Sequence, residues 1–197
     1  MDDGGVKNRQ SKAVKDGRNC ELRVKEILEN ARKLKGRIEV EFGAVERKNR
    51  NRDPSDPLVI RYDLGNDCGK ECLYYPDNDL IVRNKQTKKI ICLISVKRSF
   101  RERGNGVAYW ALKIRLLGKD FKYIVVSPDV DSELFDVNNP VAKNKWRVIL
   151  TCETDGVFVI DKKNEDDKEK NKKVVYYEEG KFKVGNRYLV EFIDSLL

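Results

Sequence analysis

Two apolar runs constrain this chain more than any other stretch: Leu80-Ile81-Val82 and Ile90-Ile91-Cys92-Leu93-Ile94-Ser95-Val96. Each has the length of a strand and polar residues on both sides. Only the polar segment from Asn84 to Lys89 separates them, a pattern that predicts an antiparallel hairpin. Asp77 and Asp79 stand at the mouth of the first run, and Lys97 follows the second. Pairing brings the start of one strand beside the end of the other, so a carboxylate and an ammonium meet at one end of the hairpin. Ser95 and Lys97, two positions apart, share one face of their strand.

The remaining segments can be read around this hairpin. Cys20, Val24, Ile27, Leu28, Ala31 and Leu34 recur at helical spacing and predict a helix over 16–35. Ile38, Val40 and Phe42 alternate with glutamates, as a half-buried strand does. A short strand is expected over 58–62, a helix over 107–117 and a strand over 123–126. Residues 130–146 read as mostly helical. Strands at 148–152 and 157–160 would flank a hairpin turn at Thr154-Asp155-Gly156. A small hairpin over 174–184 and an amphipathic helix over 188–197 close the chain. The order implies an α/β fold, a mixed β-sheet flanked by helices, in one domain over 1–197. Residues 1–15 read as a flexible basic arm and 162–173 as a charged loop.

Composition removes several chemistries. The chain has no histidine, which excludes a Ser-His-Asp triad, a Cys-His pair and histidine-ligated zinc. Of five cysteines, Cys92 and Cys152 fall in apolar runs, and Cys68 and Cys72 form one CxxxC pair with no second pair to complete a zinc site. A formal charge of +8 points to a polyanionic partner. No apolar run is long enough for a signal segment or a membrane span, and a reducing cytoplasm is the expected location.

Phosphodiester cleavage near neutral pH calls for carboxylates that hold a divalent cation and a nearby cation that offsets charge on the phosphate. The hairpin supplies these parts in order. Pro76-Asp77 … Ser95-Val96-Lys97 resembles the core motif of the PD-(D/E)xK nuclease superfamily. The continuation Ser95-Val96-Lys97-Arg98-Ser99-Phe100-Arg101-Glu102-Arg103 resembles a pattern that follows the catalytic lysine in many type II restriction enzymes. Gly17-Arg18-Asn19-Cys20-Glu21 resembles the Gly-x-x-x-Glu helix of the Holliday junction resolvase branch.

The resemblance implies a restriction-endonuclease-like core that cuts double-stranded DNA at a short specific site with Mg²⁺, for which Mn²⁺ can substitute. It casts Asp79 and Lys97 as catalytic, with Glu21, Asp77, Ser95 and Glu102 beside them, and Asp79, Glu21 and Asp77 as metal ligands. Asp77 follows a proline, as the motif asks. Asp79 directly precedes Leu-Ile-Val and is the favoured first acid. Ser95 departs from the pattern, which has an acid there, so the second carboxylate is sought in Glu21, Glu71 or Glu102.

Arg98, Arg101 and Arg103 are expected to bind phosphate, as is the basic loop of Arg47, Lys48, Arg50 and Arg52. That loop and the segment 138–147 are candidate base readers. A palindromic site would imply a homodimer, and a restriction system would include a DNA methyltransferase without direct contact. Two alternatives are a structure-selective nuclease such as a resolvase, and a non-catalytic DNA-binding protein on a degenerate nuclease fold.

Overall fold

A computed structural model describes residues 3–43, 55–62, 72–100, 103–160 and 176–197. Helix α1 (Asp3–Asn30) leads into β1 (Ile38–Phe42), β2 (Ile60–Tyr62) and β3 (Cys72–Tyr74). Strands β4 (Leu80–Asn84) and β5 (Ile90–Val96) follow, then α2 (Gly104–Leu116) and β6 (Lys122–Ser127). Helix α3 (Lys145–Glu153), β7 (Gly156–Val159), β8 (Tyr177–Glu179), β9 (Phe182–Val184) and α4 (Asn186–Ser195) complete the order.

The predicted hairpin forms. Strands β4 and β5 pair antiparallel, with Leu80 opposite Ile94 and Val82 opposite Cys92. They belong to a seven-stranded sheet ordered β1-β4-β5-β6-β7-β9-β8, and β2 pairs with β3 separately. From β5 through β6 and β7 to β9 the pairing is parallel, while β1 and β8 run antiparallel to their neighbours. The fold is therefore α/β with a mixed sheet.

Period-two alternation sends β-strand side chains to opposite faces. Ile81, Leu93, Tyr123, Val125 and Val157 pack against Val107, Ala111 and Ile114 of α2 and against Trp146 and Leu150 of α3. Leu80, Val82, Cys92, Ile94, Val96 and Ile124 pack against Val24 and Leu28 of α1 and against Leu189 and Ile193 of α4. With both faces covered, β5 is apolar along nearly its whole length, which is why its sequence reads as an unbroken run.

Three local expectations are corrected. Helix α1 starts at Asp3, so the residues expected to form a basic arm are its amino-terminal turns. Good helix formers such as Lys7, Arg9, Gln10, Lys12 and Ala13 carry it on, with no proline to stop it. Residues 130–144 form turns, not a helix. Pro128 and Pro140 frame that stretch, and Asp129 and Ser132 take positive φ values of 45° and 54°, which no helix accommodates. Residues 148–152 lie in α3, not in a strand. Trp146 and Leu150, four positions apart, both bury toward α2, and the Thr154 amide and hydroxyl close the helix on the Leu150 carbonyl. The turn at 154–156 thus joins a helix to a strand parallel to β6. The expected charged loop over 162–173 lies outside the described residues.

Gly43 follows β1 and donates its amide to the Asp79 carbonyl at 3.0 Å. A Cβ there would overlap both the backbone and side-chain oxygens of Asn78. Gly43→Ala is expected to destabilise the chain by about 1–3 kcal/mol, the usual range for overpacking. Gly106→Ala, which meets open space on α2, should not lower stability. Thermal melts of the two variants check the contrast.

Candidate active site

Asp79 sits in the sheet: its amide donates to the Ile94 carbonyl at 2.9 Å. Its carboxylate is thereby aimed at the carboxyl end of β5. Oδ2 accepts the Val96 amide at 2.7 Å and Lys97 Nζ at 2.7 Å, with Ser95 Oγ at 3.5 Å. Lys97 itself donates its amide to the Val126 carbonyl at 3.1 Å, so the β5–β6 ladder fixes its backbone. Lys97 is only 8% exposed.

The two competing acids are separated by this geometry. The side chain of Asp79 is 15% exposed and in contact with Lys97, whereas that of Asp77 is 50% exposed and 3.9 Å away. The Asp77 backbone carbonyl accepts the Tyr123 hydroxyl at 2.8 Å, tying this segment to β6. Ser95, buried beneath the pair, acts as a long-range donor to Asp79 and not as an acid.

A cleft of about 360 Å³ opens at this end of the hairpin, lined among others by Glu21, Asp79, Lys97, Arg98, Arg103 and Asp131. Glu21 reaches it because it borders the apolar stripe by which α1 packs on the sheet. Burial raises the Glu21 carboxyl above its ordinary value, and the negative charge of Asp79 raises it further, against the opposing pull of Arg18 and Lys97. The folded chain therefore holds the Glu21 proton more tightly than the unfolded chain does. Stability from this group is complete below the ordinary carboxylate value and is lost as pH rises through the raised one. Glu21→Gln removes that loss. Without divalent cation, its melting temperature is expected to exceed that of the wild type above neutrality and to match it by about pH 4, near the ordinary glutamate value.

Glu21 and Asp79 are two carboxylates lining the same cleft, oxygen donors available there to a divalent cation. Among the described residues no three acids or cysteines converge. Mg²⁺, however, is commonly held by one or two carboxylates, with water and phosphate oxygens completing its shell. Glu21 and Asp79 face one cleft with like charges that a dication would offset, whereas Asp77 is not among the residues that line it and stands 3.9 Å from Lys97. Of the other residues proposed for the site, Arg103 lines the cleft, and Arg98 lines it too while pairing with Asp16 of α1. Arg47, Lys48, Arg50, Arg52, Glu71, Arg101 and Glu102 lie outside the described residues.

Arg147, expected within a base-reading segment, has a structural job instead. It is 3% exposed. It donates to the Pro140 and Ala142 carbonyls at 2.7 and 3.0 Å, pairs with Glu179 at 2.5 Å and stacks on Phe182. Sequence reasoning missed Val130 and Asp131, which line the cleft from the segment after β6. The Ser127-Pro128 break was a usable signal, because β6 lies parallel to β5 and their carboxyl ends line up. Asp129, almost fully buried, holds this segment with its own carboxylate: Oδ1 accepts the Leu134 amide at 3.0 Å and Oδ2 the Phe135 amide at 2.8 Å.

Residues 59–182, more than half of the chain, match the family described as BsaWI restriction endonuclease type 2. The chain belongs to the BsaWI restriction endonuclease family. The family match takes in Asp77, Asp79, Ser95 and Lys97, and it begins after Glu21. A Methanocaldococcus jannaschii protein named as the type II restriction enzyme MjaVIP is 39% identical over 95 residues, 46% of this chain and 42% of that one. HpyAORF263P of Helicobacter pylori, also named as a type II restriction enzyme, is 37% identical over 67 residues, 33% of this chain and 35% of its own. The matched region thus spans less than half the length of either relative. A solved structure, the pre-specific restriction endonuclease BsaWI in complex with DNA, superposes on 97% of this chain and 65% of its own, with a TM-score of 0.49 and 11% identity.

Proposed function

We propose that this BsaWI-family chain is a type II restriction endonuclease that hydrolyses phosphodiester bonds of double-stranded DNA at a short specific sequence. The observation that carries the reading is the Asp79–Lys97 pair, held at 2.7 Å by adjacent strands and open to a cleft that Glu21 also faces. Asp79 and Glu21 would hold Mg²⁺, or Mn²⁺ in its place, with Asp77 a further carboxylate 3.9 Å from Lys97. The ion, when bound, supplies a polarised phosphate oxygen and a water of lowered pKa.

The chain's own residues do the rest. Lys97 presents an ammonium from a nearly buried position, where its charge acts more strongly on a phosphate than it would in water. It can donate to the attacking water or to a phosphoryl oxygen. Arg103 faces the same cleft and is suited to two parallel hydrogen bonds with a phosphate. Asp131 and Val130 form part of the wall past which the DNA must lie. Recognition of a palindrome would make the working unit a two-fold homodimer, and a DNA methyltransferase of the same specificity would protect the host. No helix among the described residues is long and apolar enough to cross a membrane.

Digestion of one sequenced plasmid tests the reading. Discrete fragments with common end sequences are expected with Mg²⁺, and none with chelator. Cleavage confined to branched DNA would replace this reading with a junction resolvase, a possibility that the Glu21 helix keeps in view. Binding without cleavage in either Mg²⁺ or Mn²⁺ would leave a non-catalytic DNA-binding protein.

A further inference from the structure

We propose that Arg18 is a positioning residue that sets the separation of Glu21 and Asp79, and so governs how tightly the site holds a divalent cation. The inference rests on the reading of those two carboxylates as cation ligands. Arg18 Nη1 donates to Glu21 Oε2 at 2.7 Å. The guanidinium carbon lies 3.6 Å from the centre of the Phe42 ring. Phe42 ends β1 opposite Leu80, and the next amide, that of Gly43, donates to the Asp79 carbonyl. The ring is therefore carried by the strand that pairs with the backbone at Asp79 and Leu80. One planar group thus bridges the helix bearing one carboxylate and the strand pair bearing the other.

This bridge needs an arginine. A guanidinium can lay its face on a ring while an edge N–H meets a carboxylate, whereas an ammonium is a point charge and does one of these at a time. A glutamate without such a partner samples several rotamers, and ordering it then falls to the cation. Outer partners of metal ligands typically contribute about 10–100-fold to metal affinity.

Charge alone would have the opposite effect. Arg18 is a cation next to a cation site and repels a dication. If Arg18 acted only by charge, removing it would tighten cation binding. If it positions Glu21, removing it loosens binding. The sign of the change separates the two roles.

The test uses the full chain without DNA, titrated with Mn²⁺, with the free ion counted by electron paramagnetic resonance. Arg18→Met is expected to weaken Mn²⁺ binding by about tenfold or more, the lower end of the range for outer partners. Arg18→Lys should fall between it and wild type. Lys88→Met, which removes a cation paired with Glu39 on β1 at a distance from the cleft, should leave binding unchanged. Unchanged or tighter binding in Arg18→Met overturns the proposal, as does a wild type that binds no Mn²⁺.

Should Arg18→Met not fold, Phe42→Leu carries the test. It keeps the Arg18–Glu21 pair and removes the platform, so binding should weaken, and wild-type affinity would overturn the proposal. Cleavage is scored separately. Weakened Mn²⁺ binding in a protein that cuts no DNA upholds the role of Arg18 and sinks the nuclease reading. Wild-type cleavage with an Mn²⁺ requirement that Arg18→Met does not change does the reverse.

Discussion

Asp79→Asn is expected to lower single-turnover cleavage by at least about a hundredfold, the loss typical when a group acting directly on transition-state charge is removed. Asp77→Asn should stay within a few-fold of wild type. The difference lies in placement. Asp79 takes the Val96 amide and the Lys97 ammonium on one oxygen, deep in the cleft, while Asp77 is half exposed and 3.9 Å from the lysine. An asparagine keeps the shape and an acceptor for the Val96 amide, but it removes the charge that both a cation and Lys97 require. Metal-free DNA binding should survive in Asp79→Asn and even tighten, since one negative charge facing the phosphates is gone. Gel shifts without divalent cation, run beside quenched-flow cleavage, read both quantities. Full activity in Asp79→Asn with loss in Asp77→Asn would exchange the two roles.

Lys97→Met is the second large effect. Methionine matches much of the lysine stem and the surrounding apolar packing, so the fold should persist. Cleavage should nevertheless fall by at least about a hundredfold, within the usual range for a positioned proton donor or acceptor. The loss should appear in the rate at saturating DNA and not in DNA affinity, and added Mg²⁺ should not restore it. A lysine that merely neutralised Asp79 would predict another result, in which Lys97→Met cuts at a near-normal rate. Lys97→Arg offers a further check, because its broad guanidinium is a poor substitute in a setting where only 8% of the lysine is exposed.

Both effects concern residues that are legible in the amino-acid sequence itself, and the reason is local. Strands β4 and β5 are neighbours in sequence, their turn is short, and pairing alone carries Asp79 to Lys97. Glu21 is legible less directly, through its place beside the Val24–Leu28 stripe. What escapes is whatever depends on distant partners. Val148-Ile149-Leu150 is apolar and begins with two β-branched residues, and by itself suits a strand. It is helical because Trp146 and Leu150 find α2, and no window of sequence contains that contact. The stretch from Val130 to Asn144 misleads for a similar reason. Its turns are held by Asp129 from one end and by Arg147 from the other, through hydrogen bonds to the backbone. The lining residues Val130 and Asp131 belong to that stretch and are overlooked with it.

The way Asp129 ties down its own segment matters for engineering. Both carboxylate oxygens are spent on amides five and six positions downstream, and its own amide donates to the Ser127 hydroxyl oxygen. The wall of the cleft is therefore braced from within, while Asp79 and Lys97 flank the separate β4–β5 hairpin. Grafts or randomised libraries at Val130 and Asp131 can vary what the cleft admits while Asp79 and Lys97 keep their registration, provided Ser127 and Asp129 are left untouched.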